Sequence, residues 1–160
     1  MTYGIYCMGV IIMESRYSRS SECISRLVLE WVKYDRIIIA VDKDSTIFDY
    51  HKNGDTYNDV ISLINDCRDM GAFIIINTAV EDSKLDEVKY QLESIGIQYD
   101  LINENAPFVP FNTRKIYYNI LLDDRAGLGE AMEILRTTVM IIRSLRNADA
   151  AKTKPIPMYW

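Results

Sequence analysis

The stretch IIIAVDKDSTIFDY, Ile37 to Tyr50, runs five apolar residues straight into the carboxylates Asp42 and Asp44. A continuous apolar run rich in β-branched residues has no polar face, so it reads as a strand covered on both sides, the pattern of a parallel sheet. In open α/β sheets ligands bind beyond the carboxyl ends of the strands. The acidic pair therefore stands where such a fold would place a site.

Working outward, AFIIIN, Ala72 to Asn77, repeats the pattern, and IQYDLI, Ile97 to Ile102, and YYNILL, Tyr117 to Leu122, read as a third and a fourth strand. Between them the apolar residues recur at helical spacing. Val60, Ile61, Ile64 and Cys67 share one face of a helix that Gly71 stops, and Leu85, Val88, Leu92 and Ile95 share one that Ser83 would cap and Gly96 closes. Ahead of the first strand, Ile24, Leu27, Val28 and Trp31 make a further helix with Ser20 or Ser21 at its cap, and residues 126–147 make a long last one. The segment NENAPFVPFNTR, Asn103 to Arg114, holds two of the four prolines, has no period, and reads as a loop. Alternating strands and helices imply right-handed crossovers and a Rossmann-like three-layer α/β/α sandwich on a parallel sheet. The organisation expected is an N-terminal extension (residues 1–35) packed on the core, a main domain (36–150) and a tail (151–160), with Tyr3 to Met13 as an extra strand or an appended segment.

With 160 residues, 49% of them hydrophobic, the chain can bury a single core. The formal net charge of -5 argues against a broad basic field for nucleic acid or anionic membrane, so an anionic substrate would have to be attracted locally. Cys7, Cys23 and Cys67 form no CxxC and suit a reducing cytoplasm as small buried residues. No run reaches the roughly 18 apolar residues of a membrane span.

Three expected strands end in polar residues: Asp42 and Asp44, then Asn77 and Thr78, then Asp123 and Asp124. Carboxylates gathered on one edge need a counter-ion, because two like charges about 4 Å apart repel by about 4 kcal/mol at an effective dielectric near 20. All-oxygen ligands with open positions suit Mg2+.

DKDST, Asp42 to Thr46, resembles the DxDx[T/V] signature of haloacid dehalogenase superfamily phosphatases; Thr78 resembles their second motif, and ILLDD, Ile120 to Asp124, their acidic fourth motif. The likeness runs from about Ile37 to Leu145 and is similar to small capless members from bacteria and phages. It implies a phosphoric monoester hydrolase in which Asp42 is the nucleophile, Asp44 the general acid and base, and Thr78 a donor to phosphate. Mg2+ would be held by Asp42, the backbone carbonyl of Asp44, and Asp123, with Asp124 a ligand or its neighbour. The third-motif cation would be Lys115, with Arg114 or Lys84 as substitutes. Thr46 would brace the nucleophile loop. Lys43 and Ser45 depart from the apolar residue and the glycine common in the family, and His51 falls in the loop that would flap over the site.

The substrate expected is a nucleotide or small phosphorylated metabolite. An uncapped site also admits a nucleic-acid end, as for a polynucleotide 3'-phosphatase, since LLDDRAGL also resembles the phosphatase half of polynucleotide kinase-phosphatases. A non-catalytic binding module on the same fold is the third reading. No membrane partner is expected. The apolar face of the first helix, together with PIPMYW (Pro155 to Trp160), would be buried on the domain or form a homodimer contact.

Overall fold

The computed structural model describes residues 19–152. Tyr3 to Met13, expected as an extra strand or an appended segment, and the tail from Pro155 to Trp160 lie outside them. The elements are α1 (Ser20–Tyr34), β1 (Ile38–Asp42), α2 (Asn58–Asp69), β2 (Phe73–Asn77), a 3-10 turn (Asp82–Lys84) leading into α3 (Leu85–Ser94), β3 (Leu101–Ile102), β4 (Ile120–Leu122) and α4 (Leu128–Lys152). They form an α/β fold: a four-stranded, all-parallel sheet of order β3-β2-β1-β4 in a Rossmann-like three-layer arrangement, with the helices as one outer layer and the connection 103–119 as the other.

The order of the strands fixes where each connection runs. From β1 to β2 to β3 the chain steps one way, so right-handed crossovers place α2 and α3 on one face. The chain then reverses to reach β4 on the far side of β1, which sends the connection 103–119 across the other face. Side-chain alternation agrees with this. Ile39, Val41, Ile74, Ile76 and Leu122 share a core with Leu27 and Trp31 of α1, Ile64 of α2, Leu92 of α3 and Leu135 of α4. Ile38 and Ile75 point the opposite way and are covered by Ala106, with Phe73, Val109, Ile116 and Tyr118 packed around them. The second face is thus shielded by an extended connection that contains no helix.

Two strands are shorter than their apolar runs suggest. Only Leu101–Ile102 and Ile120–Leu122 pair, because side chains take over the ladder at its ends. The Ile74 N–H donates to Asp100 Oδ2 at 2.8 Å, and the Ile38 N–H donates to Asn119 Oδ1. A backbone donor satisfied in this way needs no continuing strand. Helix starts also differ from expectation. Neither α1 nor α3 has a side-chain cap; the Ser20 hydroxyl instead donates to Glu130 Oε1 of α4, and Ser83 lies inside the 3-10 turn. The stop after α2 follows the sequence: Gly71 has φ 92, and the Gly71 and Ala72 N–H groups close back on the carbonyls of Arg68 and Cys67.

The α1 helix belongs to the main core through Leu27 and Trp31, and it is tied to the sheet where Arg26 donates to the Asn119 carbonyl at 2.9 Å. Cys67 is buried in this core, and burial pushes its thiol up to about 12, which leaves it inert as a nucleophile. No described helix is long and apolar enough to cross a membrane.

Ile39 is 0% exposed at the centre of the sheet, whereas Leu29 is 70% exposed on α1. Urea denaturation should therefore show Ile39→Ala losing about 2–5 kcal/mol of stability. Leu29→Ala should lie within about 0.5 kcal/mol of the parent.

Candidate functional site

β1 lies between β2 and β4 with Asp42 opposite Asn77 and Val41 opposite Leu122. Parallel pairing in that register sends Asp42 and Asp123 off the same carboxyl edge, where the strand order reverses between β1 and β4. Carboxylate oxygens of Asp42, Asp123 and Asp124 lie within 4.8 Å of one another. Thr46, fully buried, bridges the two strands: its hydroxyl donates to Asp42 Oδ2 at 3.2 Å and accepts the Asp124 N–H at 3.0 Å. Asp123 is oriented by its own turn, with Oδ1 accepting the Arg125 N–H at 2.8 Å. Burial, and then the neighbouring charge of Asp123, push the Asp42 carboxyl up to about 6, against the pull of the Thr46 hydrogen bond.

The chain leaves Asp42 in a tight loop built around one acceptor. The Lys43 carbonyl receives the N–H groups of Thr46, Ile47 and Phe48, and Ser45 adopts φ 63 to make the turn. Serine therefore holds the left-handed conformation that glycine adopts without strain. Lys43 is 4% exposed. Its ammonium pairs with Asp44 Oδ1, donates to Gln91 Oε1 of α3 at 3.0 Å, and sits 4.5 Å from the centre of the Phe48 ring. The Asp44 carboxylate is thereby turned to Lys43 and is not part of the three-carboxylate cluster. Any metal role for Asp44 falls to its backbone carbonyl.

Thr78 lies one residue beyond the Asp42–Asn77 pair and is buried. Asn103 clasps its backbone, accepting the Thr78 N–H at 2.8 Å and donating to the Thr78 carbonyl at 2.7 Å. Lys115 is exposed in the connection over the second face, and its carbonyl accepts hydrogen bonds from Thr113 Oγ1 and Asn105 Nδ2. Arg114 and Lys84 are exposed as well. Among the described residues no ion pair joins Lys115, Arg114 or Lys84 to Asp42 or Asp123. The connection that carries Lys115 runs down the face toward Asn119, whose N–H meets the Ile38 carbonyl near the opposite end of β1. Among the described residues, the cation that pairs with Asp42, Asp44, Asp123 or Asp124 is Lys43, through Asp44.

Beyond Asp44 the loop is equally structured. Asp49 accepts the N–H groups of Asn53 at 3.0 Å and Gly54 at 2.8 Å, and His51, exposed, meets Tyr50 edge to face. Gln91 and Asn103 carried no motif signal: one amide holds a buried ammonium and the other ties two loops, and spacing reveals neither. A cavity of about 540 Å³ lies at the opposite edge of the sheet, lined by Arg36, Phe108, Phe111 and Tyr117 among others, and the carboxylates are not part of it.

Three hard oxygen donors, with no histidine or cysteine among them, fit a magnesium ion that keeps positions open for water or substrate. No family model, curated protein or solved structure matches this chain.

Two outcomes follow from these contacts. The folded chain holds the Asp42 proton more tightly than an ordinary carboxyl with a value of 3.8, so this group's contribution to stability is complete below about pH 4 and lost as pH rises through about 6. The full shift would correspond to about 3 kcal/mol, and solvent screening of a half-exposed group reduces it to about 1 kcal/mol. Asp42→Asn should be more stable than the parent by that amount at pH 8 without added metal, and should lose this part of the pH dependence in urea melts. Lys43→Met should lower stability by about 1–3 kcal/mol through the lost charged hydrogen bonds to Asp44 and Gln91, read in the same assay.

Proposed function

We propose that this chain is a magnesium-dependent phosphohydrolase of the haloacid dehalogenase type, acting on a phosphate monoester through an acyl phosphate on Asp42. The observation that carries the reading is the convergence of Asp42, Asp123 and Asp124 within 4.8 Å at the point where the strand order reverses. One carboxylate pair can be a strand-end accident, but three carboxylates from two strands, bridged by a buried hydroxyl, make a built centre.

In this reading Asp42 attacks phosphorus, and the P–O bond to the leaving group breaks as the Asp42 O–P bond forms. Asp44 delivers a proton to the departing oxygen, then takes one from the water that attacks phosphorus, releasing phosphate and restoring the Asp42 carboxylate. Lys43 orients Asp44 through their ion pair, and Gln91 fixes Lys43. Thr46 keeps Asp42 and the Asp123–Asp124 turn in register. The buried Thr78 hydroxyl donates to a phosphate oxygen, its backbone held by Asn103. Magnesium, held by Asp42, Asp123 and Asp124 with the Asp44 carbonyl, would neutralise the charge that otherwise repels an anionic substrate from an anionic nucleophile.

A nucleic-acid end or other macromolecular phosphate is a second reading, favoured by one observation: between β1 and β2 the chain holds only a loop and α2, so no domain inserted there covers this edge.

Hydrolysis of p-nitrophenyl phosphate in the presence of Mg2+ tests the proposal. The parent should turn over and stop on chelation, Asp42→Asn should release no phosphate, and Asp44→Asn should fall by about 10²–10⁴-fold. Mg2+ alone should raise the urea midpoint of the parent and leave that of Asp123→Asn unmoved. Full turnover by Asp42→Asn would sink the nucleophile assignment, and no turnover with no Mg2+ effect would leave a binding module.

A further inference from the structure

We infer that the ester hydrolysed at this site is a nucleoside phosphate whose base stacks on Tyr50, an inference that rests on the phosphohydrolase reading above. Tyr50 is 59% exposed although it sits within the structured loop that follows Asp42. Its backbone is already ordered: the Tyr50 N–H donates to the Phe48 carbonyl at 2.9 Å, the Lys52 N–H to the Asp49 carbonyl at 3.2 Å, and the Asp49 carboxylate closes the turn at Asn53 and Gly54. His51 buttresses the ring edge to face at 5.2 Å. A large aromatic surface left in water on a backbone held this firmly is a ready stacking platform, because little ordering entropy remains to be lost on binding.

Its position puts the platform within reach of Asp44. The Lys43 ammonium contacts the Asp44 carboxylate and lies 6.0 Å from the centre of the Tyr50 ring. Adding one hydrogen-bond length of about 3 Å puts that ring within about 9 Å of the carboxylate that protonates the departing oxygen. The ammonium contacts Asp44 directly and faces the Tyr50 ring from 6.0 Å, so the ring lies no farther from Asp44 than that limit. A pentose spans a separation within that limit between its ester oxygen and its base. Every base has a π-face, so stacking on one tyrosine supplies affinity without selecting the base. The net charge of -5 favours a single nucleoside phosphate over a long polyanion.

The test compares kcat/KM with Mg2+ for adenosine 5'-monophosphate, adenosine 3'-monophosphate, glycerol 3-phosphate, phosphotyrosine and a 3'-phosphorylated oligonucleotide, in the parent, Tyr50→Leu and Tyr50→Phe. The preference for the better adenosine monophosphate over glycerol 3-phosphate should fall about tenfold in Tyr50→Leu, chiefly through KM, and persist in Tyr50→Phe. An oligonucleotide preferred with the same dependence on Tyr50 supports the same chemistry and assigns it to a strand end. Calorimetry on Asp42→Asn supplies a readout without turnover: adding Tyr50→Leu should weaken adenosine monophosphate about tenfold relative to inorganic phosphate. Turnover with a preference for phosphotyrosine, or with a nucleotide-to-glycerol ratio unchanged in Tyr50→Leu, overturns this inference and leaves the phosphohydrolase intact. No turnover of any ester, together with no nucleotide binding, overturns both.

Discussion

The pairing of β1 with β4 is the constraint on which the rest depends. Placing Val41 opposite Leu122 in a parallel register delivers carboxylates from distant parts of the chain to one edge. Their mutual repulsion, about 4 kcal/mol for a pair at 4 Å and intermediate dielectric, is a large share of the roughly 5–15 kcal/mol that holds a domain together. Apolar packing beneath the edge opposes it, since Val41, Ile76 and Leu122 are fully buried directly below the polar residues. Thr46 adds a local remedy, with one hydroxyl donating to Asp42 and accepting from the backbone of Asp124.

What the sequence revealed follows from where periodicity is strong. The β-branched runs before Asp42 and before Asn77 became the two central strands because nothing but burial on both faces suits them. The helix ended by Gly71 stops where a left-handed residue was required. The third and fourth strands were overextended, since an apolar run does not announce that Asp100 or Asn119 will satisfy the neighbouring strand's donors. The serines expected as caps were misplaced for a related reason: a cap depends on which tertiary partner competes for the hydroxyl, and for Ser20 that partner is Glu130.

At the site, the gathering of Asp42, Asp123 and Asp124 was legible because strand ends in a parallel sheet share an edge, and Thr78 follows Asn77 on that edge. The cation was not. Lys115 precedes β4 in sequence, yet the segment that carries it crosses the second face, so closeness to Asp123 along the chain does not bring its ammonium to the carboxylates. Lys43 looked like a departure inside a motif, and the structure gives it a place instead: buried, paired with Asp44, and anchored to α3 by Gln91. Ser45 shows the converse, a side chain held in a backbone conformation that costs about 1–2 kcal/mol relative to glycine.

Thr46 and Asp124 touch although 78 residues separate them, and β4 contributes only Ile120–Leu122 to the sheet. A contact so remote along the chain forms only after the intervening loop has lost its freedom, and a three-residue strand offers little to hold it in the meantime. The carboxylate centre therefore exists only once that long loop is closed. Capture of a divalent ion would report that the sheet is complete.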